Sequence, residues 1–350
     1  MSLIESFQET LRNAAATGTA LAIHAGGSKS FYGRPATGTG FSVADYSGII
    51  DYSPTELVIS ARAGTTLAEL EAALAKENQM LAFEPPHFGP DATLGGTIAC
   101  GFSGPRRPYA GAARDYVLGI TCLNGRAEQL RFGGQVMKNV AGYDISRTLT
   151  GSLGTLAVLL DITLKVLPRP ETELTLSREA SPEQALEWLN TWAGQPLPLS
   201  GGCYTGRQLM VRLSGFEQGV QAAATQLGGD ELAAADSFWQ ELREHRHPFF
   251  RDDRPLWRLS VPPAAAALEL EADELIDWGG AQRWLKTTLP AQMLRDAAVR
   301  AGGHATCFRG GDREDVFHPL DPALMALHQR LKASFDPAGI LNPGRLYSGL

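Results

Sequence analysis

The chain has 350 residues, with 31 basic against 38 acidic side chains and a formal charge of −7, so its balance carries no footprint of nucleic-acid binding. At 44% hydrophobic and 20% charged the composition is that of an ordinary globular protein, and at roughly 150 residues per domain the length suggests two domains. No run nears the ~18 apolar residues of a membrane helix, and Met1-Ser2-Leu3-Ile4-Glu5 lacks the basic patch and apolar core of a signal peptide, which leaves a cytoplasmic protein as the expectation.

In chain order, the patterning predicts a helix over 3–17, strands over 20–24 and 58–61, and a helix over 66–77. In that helix Leu67, Leu70 and Leu74 share one face, and Thr65 or Thr66 is placed to cap it. Strands follow over 116–123 and 155–166, the first turned back by Asn124-Gly125. Pro168 and Pro170 end this part and mark a domain boundary. Beyond it come a strand over 172–176, a helix over 182–192, a strand over 208–213, and helices over 217–227 and 231–243. A strand over 256–261, a hairpin turning at Gly279-Gly280, a helix over 291–301, a strand over 304–309 and a helix over 322–333 complete the chain. Two βαβ-like halves of this kind predict an α+β fold whose second domain is an antiparallel sheet with helices on one side, a ferredoxin-like layer.

Thirteen of the 38 glycines fall between Gly89 and Gly154, among strand-like runs, a pattern that brings backbone close to backbone or to a ligand. The common nucleotide and hydrolase motifs are missing. Gly38-Thr39-Gly40 continues as Phe41-Ser42-Val43, Gly27 is followed by Ser28-Lys29-Ser30, and Gly101-Phe102-Ser103 and Ser152-Leu153-Gly154 each lack a glycine of GxSxG. Cys100, Cys122, Cys203 and Cys307 lie far apart without a CxxC, and His245 and His247 form no HExxH, so no zinc or cluster site is expected. His24-Ala25-Gly26-Gly27-Ser28-Lys29-Ser30, directly after a strand, has the composition of a phosphate nest; taken alone, a plain turn fits it better. Asp91-Ala92-Thr93-Leu94-Gly95-Gly96-Thr97-Ile98-Ala99-Cys100-Gly101 suits either a flat ligand lying on the main chain or a tightly packed loop. Arg258, Arg283 and Arg309 lie in strand-like segments and suit a substrate carboxylate, although a place on a sheet flank explains each as well. The arginine-rich stretch 245–258, with Phe249, Phe250 and Trp257, also holds Asp252-Asp253 and reads as a packed loop or subunit interface.

The ordered set is more specific than its parts: the glycine nest, Thr93-Leu94-Gly95-Gly96, Arg114-Asp115-Tyr116-Val117-Leu118-Gly119, and Gly151-Ser152-Leu153-Gly154-Thr155-Leu156 before a strand. With Phe335-Asp336-Pro337-Ala338-Gly339-Ile340-Leu341-Asn342-Pro343-Gly344-Arg345 at the end, it resembles the flavoprotein superfamily of vanillyl-alcohol oxidase and p-cresol methylhydroxylase over nearly the whole chain. The resemblance implies a two-lobed FAD-binding domain (1–170), a ferredoxin-like cap domain (171–320) and a C-terminal segment (321–350) returning to the flavin domain. It also implies FAD held by Ala25, Gly26, Gly27, Ser28, Lys29, Thr93, Leu94, Gly96, Gly101, Val158 and Asn342. Relatives with covalent flavin place a histidine after the paired glycines; Ser28 stands there here, so the FAD is expected to be non-covalent.

More narrowly, Lys138-Asn139-Val140-Ala141-Gly142-Tyr143-Asp144 and the short length resemble the FAD-binding subunits of bacterial glycolate oxidase complexes. That resemblance implies a larger flavin subunit and an iron–sulfur subunit as partners, a small 2-hydroxy acid as substrate and a quinone as the indirect acceptor. It places the chain in the cytoplasm, at the inner face of the membrane through its partners. Related 2-hydroxy-acid dehydrogenases carry an HxGDGNxH-like metal and substrate segment. Here His304-Ala305-Thr306-Cys307-Phe308-Arg309 and then His318 appear without GDGN, so His304, Arg309 and His318 are the catalytic candidates and no metal is expected. Two other readings stay open: an FAD-loaded scaffold or electron relay, and a stand-alone oxidase of another alcohol.

Overall fold

The computed structural model describes residues 1–134 and 144–350; the expected motif at 136–144 lies outside the described residues except for Asp144. Ser2 opens the helix Leu3–Thr17 with a capping box, its Oγ accepting from the Glu5 amide while the Glu5 carboxylate accepts from the Ser2 amide. The helix lays Phe7, Leu11 and Ala14 on a core shared with the parallel strands Leu21–His24 and Thr39–Ser42. Ile340 and Leu341 belong to the same core, and the Leu21 amide donates to the Ile340 carbonyl at 2.8 Å. The chain's last segment is thus built into its first lobe.

The second lobe is a five-stranded antiparallel sheet in the order Ile49–Ser53, Val58–Arg62, Val158–Lys165, Val117–Leu123, Gln129–Gly133. The helix Leu67–Lys76, capped by Thr66, packs Leu67, Leu70 and Leu74 against it, as the spacing predicted. The glycine-rich segment at 91–101, read from sequence as either main chain open to a flat ligand or a packed loop, forms the helix Leu94–Cys100, with Thr93 Oγ1 accepting from the Gly96 amide. The turn after Asn124 spans residues 124–128 rather than two residues, because Asn124 Oδ1 accepts from the amides of both Arg126 and Glu128.

The third sheet is eight-stranded and antiparallel throughout. Its first half runs Asp230–Glu231, Thr172–Glu179, Gln208–Gly215, Leu199–Tyr204, and its second Asp273–Asp277, Gln282–Lys286, Leu256–Ser260, His304–Arg309. Each half has ferredoxin-like strand order, but residues 261–272 cross as a loop where the second half would carry its first helix. A single register pair, Tyr204 with Ile276, joins the halves. The helices Pro182–Ala193, Glu217–Leu227 and Ala291–Arg300 cover one face, and the two N-terminal lobes cover the other.

Two expectations are corrected here. The strand Leu199–Tyr204 was hidden by Gly201 and Gly202; a Cβ on Gly202 would lie 2.5 Å from Leu189 Cδ2, so close helix packing, not a turn, requires the glycine. The helix expected over 231–243 begins only at Ala235, because Asp230–Glu231 adds an edge strand to Thr172–Glu179 and the Leu232 amide donates to the Thr175 carbonyl. Across the domain boundary, Glu84 pairs with Arg212 at 2.9 Å and Arg106 with Glu173, while Glu84 also holds Arg106 at 3.2 Å within its own domain. The Glu244 carboxylate accepts from the amides of His87 and Phe88. These contacts fix the cap sheet over the flavin-side lobes.

Candidate functional site

A cleft of about 320 Å³ lies between the first lobe and the helix Leu94–Cys100. Of the residues singled out in the sequence, Ala25, Gly26, Gly27, Ser28, Lys29, Thr93, Gly96 and Asn342 line it together. They come from three segments more than 60 residues apart, and the closing segment is held to the strand Leu21–His24 at Leu21, whose amide donates to the Ile340 carbonyl and whose carbonyl accepts from the Asn342 amide. A Cβ on Gly26 would lie 1.6 Å from the Asp91 carbonyl oxygen, so only glycine lets the loop lie against residue 91. Gly27 has φ +71°, and its Cβ position looks into open space. A left-handed residue with nothing above it exposes consecutive backbone amides to a ligand.

Two buried cations flank this loop. Lys29, 6% exposed, donates from Nζ to the His87 carbonyl at 3.2 Å and to Ser28 Oγ at 3.3 Å. Arg345, which the sequence reading did not select, lines the same cleft and donates from Nη2 to the Ser30 carbonyl at 2.9 Å and from Nη1 to the Arg34 carbonyl. Neither is in an ion pair with a carboxylate among the described residues, and burial pulls both down, Lys29 to about 8. Unpaired cations in a buried cleft are costly without an anion. A glycine nest between two such cations fits the diphosphate of a dinucleotide. His24 and Cys100 also face the cleft.

Leu94, Gly101 and Val158 do not line the cleft. Leu94 and Val158 are buried in the cores of the two lobes, and Gly101 ends its helix in the left-handed conformation against Gly151. Asn342 does line it, with its amide already committed: Oδ1 accepts from the Ile23 amide and Nδ2 donates to the Leu153 carbonyl, both at 2.7 Å. Its contribution is to lock the closing segment across the nest strand and the Gly151–Gly154 turn.

The three catalytic candidates are not brought together. His304 and His318 sit at one end of the edge strand His304–Arg309, ring centroids 6.5 Å apart, and His318 Nδ1 accepts from the Ala305 amide. Arg309 is five residues along the strand, about 16 Å at 3.3 Å per residue. Its guanidinium lies 4.3 Å from the Phe31 ring centroid and 5.4 Å from that of Phe88. None of the three lines the cleft. Among the described residues no three His, Cys, Asp or Glu side chains are grouped to hold a metal, and no helix is long and apolar enough to cross a membrane.

Residues 3–133 match the family model of the FAD binding domain, and residues 313–346 match that of the FAD linked oxidases, C-terminal domain. The glycolate oxidase subunit GlcE of Escherichia coli (strain K12) is 49% identical over 99% of this chain and 98% of its own. The chain belongs to this family of FAD-linked oxidase subunits. A D-lactate dehydrogenase from Anaerostipes hadrus is 32% identical over 88% of this chain and 80% of its own. An alkyldihydroxyacetonephosphate synthase structure superposes with a TM-score of 0.66 at 14% identity, covering 97% of this chain and 74% of that one, which shows a shared fold.

With a dinucleotide diphosphate held beside it, the Lys29 ammonium is expected to make binding pH-dependent. With its folded value near 8 against an ordinary 10.5, the unfolded chain binds more protons than the flavin-free fold in between, so the flavin-free protein gains stability as pH rises through that window. FAD affinity runs the other way, falling as the cation is lost. Fluorescence titrations of FAD across that window should show the loss, and Lys29→Met should bind more weakly at neutral pH and flatten the dependence.

Proposed function

We propose that this chain is the non-covalent FAD-holding subunit of a complex that oxidises glycolate or a similar small 2-hydroxy acid. The observation that carries this reading is the cleft with Lys29 and Arg345 buried on either side of Gly26-Gly27-Ser28 and without carboxylate partners. The loop amides and the two cations would hold the diphosphate, and Asn342 fixes the segment that delivers Arg345. Bound there, FAD supplies a two-electron acceptor for the carbon that bears the substrate hydroxyl. Ser28 offers no imidazole to bond a flavin, so acid precipitation should leave all FAD in the supernatant. A yellow pellet would contradict the non-covalent reading and point to His24 or Cys100, the nucleophiles facing the cleft.

Electrons then have to leave the chain. An iron–sulfur cluster usually takes four clustered thiolates, whereas Cys100, Cys122, Cys203 and Cys307 are all unpaired and scattered over both domains. An iron–sulfur subunit alongside a larger flavin subunit is the economical route, with a quinone as the final acceptor and the membrane reached through those partners. Co-expression of the three subunits tests this reading: glycolate-dependent dye reduction should require all of them.

A further inference from the structure

A second cavity, about 30 Å³, lies between the domains. It opens just beyond the FAD cleft: Cys100 faces the cleft and Phe102, two residues on, lines this cavity. Its cap side is built from one face of the eight-stranded sheet. Arg258 pairs in register with Trp284, and Ser260 with Gln282, so strand alternation puts Arg258, Gln282 and Trp284 on the same face. The intervening Trp257, Leu259 and Leu285 point into the opposite, helix-covered core. His245 enters from the loop after the helix Ala235–Arg243, its ring stacked on Phe250 at 4.1 Å and 5° and edge-on to Trp284 at 4.7 Å.

Three side chains of this small space each carry a buried polar atom with no hydrogen-bond partner among the described residues: Arg258 Nε, Gln282 Oε1 and His245 Nδ1. Leaving such an atom unsatisfied in an apolar interior is costly, so three around one cavity mark a place built for a polar guest. Their chemistry specifies it. Arg258 donates from Nη2 to the Tyr32 hydroxyl at 3.1 Å and is in no ion pair with a carboxylate among the described residues. Gln282 turns its Nε2 toward Asp277 Oδ2 at 3.5 Å, which leaves its carbonyl oxygen as an acceptor. Burial, and the nearby Arg309, Arg258 and Lys286 cations, keep His245 neutral, with one ring N–H and one lone pair. Asp277, which also lines the cavity, accepts from the Trp278 amide, and burial raises its carboxyl to about 7.

We infer that this interdomain cavity is the recognition site for a two-carbon 2-hydroxy carboxylate, with Arg258 pairing the carboxylate, Gln282 Oε1 accepting from the hydroxyl and His245 completing the polar set. The choice of a hydroxy acid rests on the proposed function; the carboxylate site rests on the cavity itself. The cavity is small and walled by Phe88, Phe102, Trp284 and Phe308, so the shorter glycolate is expected to be favoured over lactate.

Isothermal titration of the purified full-length chain with glycolate, lactate and acetate tests the inference, with FAD content and thermal unfolding recorded for every variant. Wild type should bind glycolate more tightly than lactate or acetate. Arg258→Met should weaken glycolate by about tenfold or more, the loss expected when a charge-assisted pair is removed, and Arg258→Lys should recover part of it. Gln282→Leu should reduce glycolate to the affinity of acetate while leaving acetate unchanged. Absence of glycolate binding by wild type, or equal affinity in Arg258→Met, would overturn the inference. A chain that holds FAD and works with its partners while Arg258→Met binds glycolate normally defeats this site alone. A chain without FAD that still binds glycolate through Arg258 defeats the flavin reading and leaves the site standing.

Discussion

Gly27→Val is expected to yield folded but largely flavin-free protein. The residue sits at φ +71°, where a non-glycine residue costs about 1–2 kcal/mol and a β-branched one more. The new side chain would project into the open space of the cleft, over the amides proposed to hold the diphosphate. Strain burdens the folded loop with or without FAD, whereas occlusion acts on binding alone, so the effect on FAD affinity should exceed the effect on folding. Gly27→Asn is the informative comparison: asparagine tolerates the left-handed region, so it relieves most of the strain and still intrudes. Flavin absorbance per chain after purification should be lost in the valine variant and lowered in the asparagine one. Full flavin content in both would mean that the diphosphate is held elsewhere.

Lys332→Met should be the most destabilising single change in the closing segment. The Lys332 ammonium, in the helix Pro322–Phe335, donates to the Thr155 carbonyl, Asp336 Oδ2 and the Leu341 carbonyl, each at 2.7 Å. Asp336 is 2% exposed and also accepts from the Ile340 and Leu341 amides. Removing the lysine leaves this carboxylate buried without its counter-ion, a change that costs about 3–5 kcal/mol. Urea unfolding should show that loss. FAD affinity should fall with it, since the same segment delivers Asn342 and Arg345 to the cleft. Lys332→Met with unchanged stability would mean that the segment is anchored by its apolar residues alone.

The parts of the molecule that were legible in the sequence share a property: one local pattern decides them. The helices Leu3–Thr17 and Glu217–Leu227 and the strand His304–Arg309 were readable from periodicity and caps. The nest was readable because its chemistry lies in the backbone, and paired glycines announce backbone. The interdomain cavity was not, because Arg258, Gln282 and His245 become neighbours only when the sheet register and the loop after Arg243 are known. Arg345 was visible at the end of the closing motif but carried no local sign of facing the cleft. His304, Arg309 and His318 were selected through a resemblance to a family segment, which says nothing of where side chains point; in the extended strand, five residues separate His304 from Arg309.

The measurement that bears most directly on the account is the anaerobic absorption spectrum of the flavin-loaded chain, taken with glycolate alone and then with both partner subunits present. The account predicts an equimolar FAD spectrum on this chain, and glycolate-dependent electron flow to a dye only when the partners are present. A chain that cannot be loaded with FAD, or one that alone reduces dye with glycolate at the rate of the complex, would contradict it.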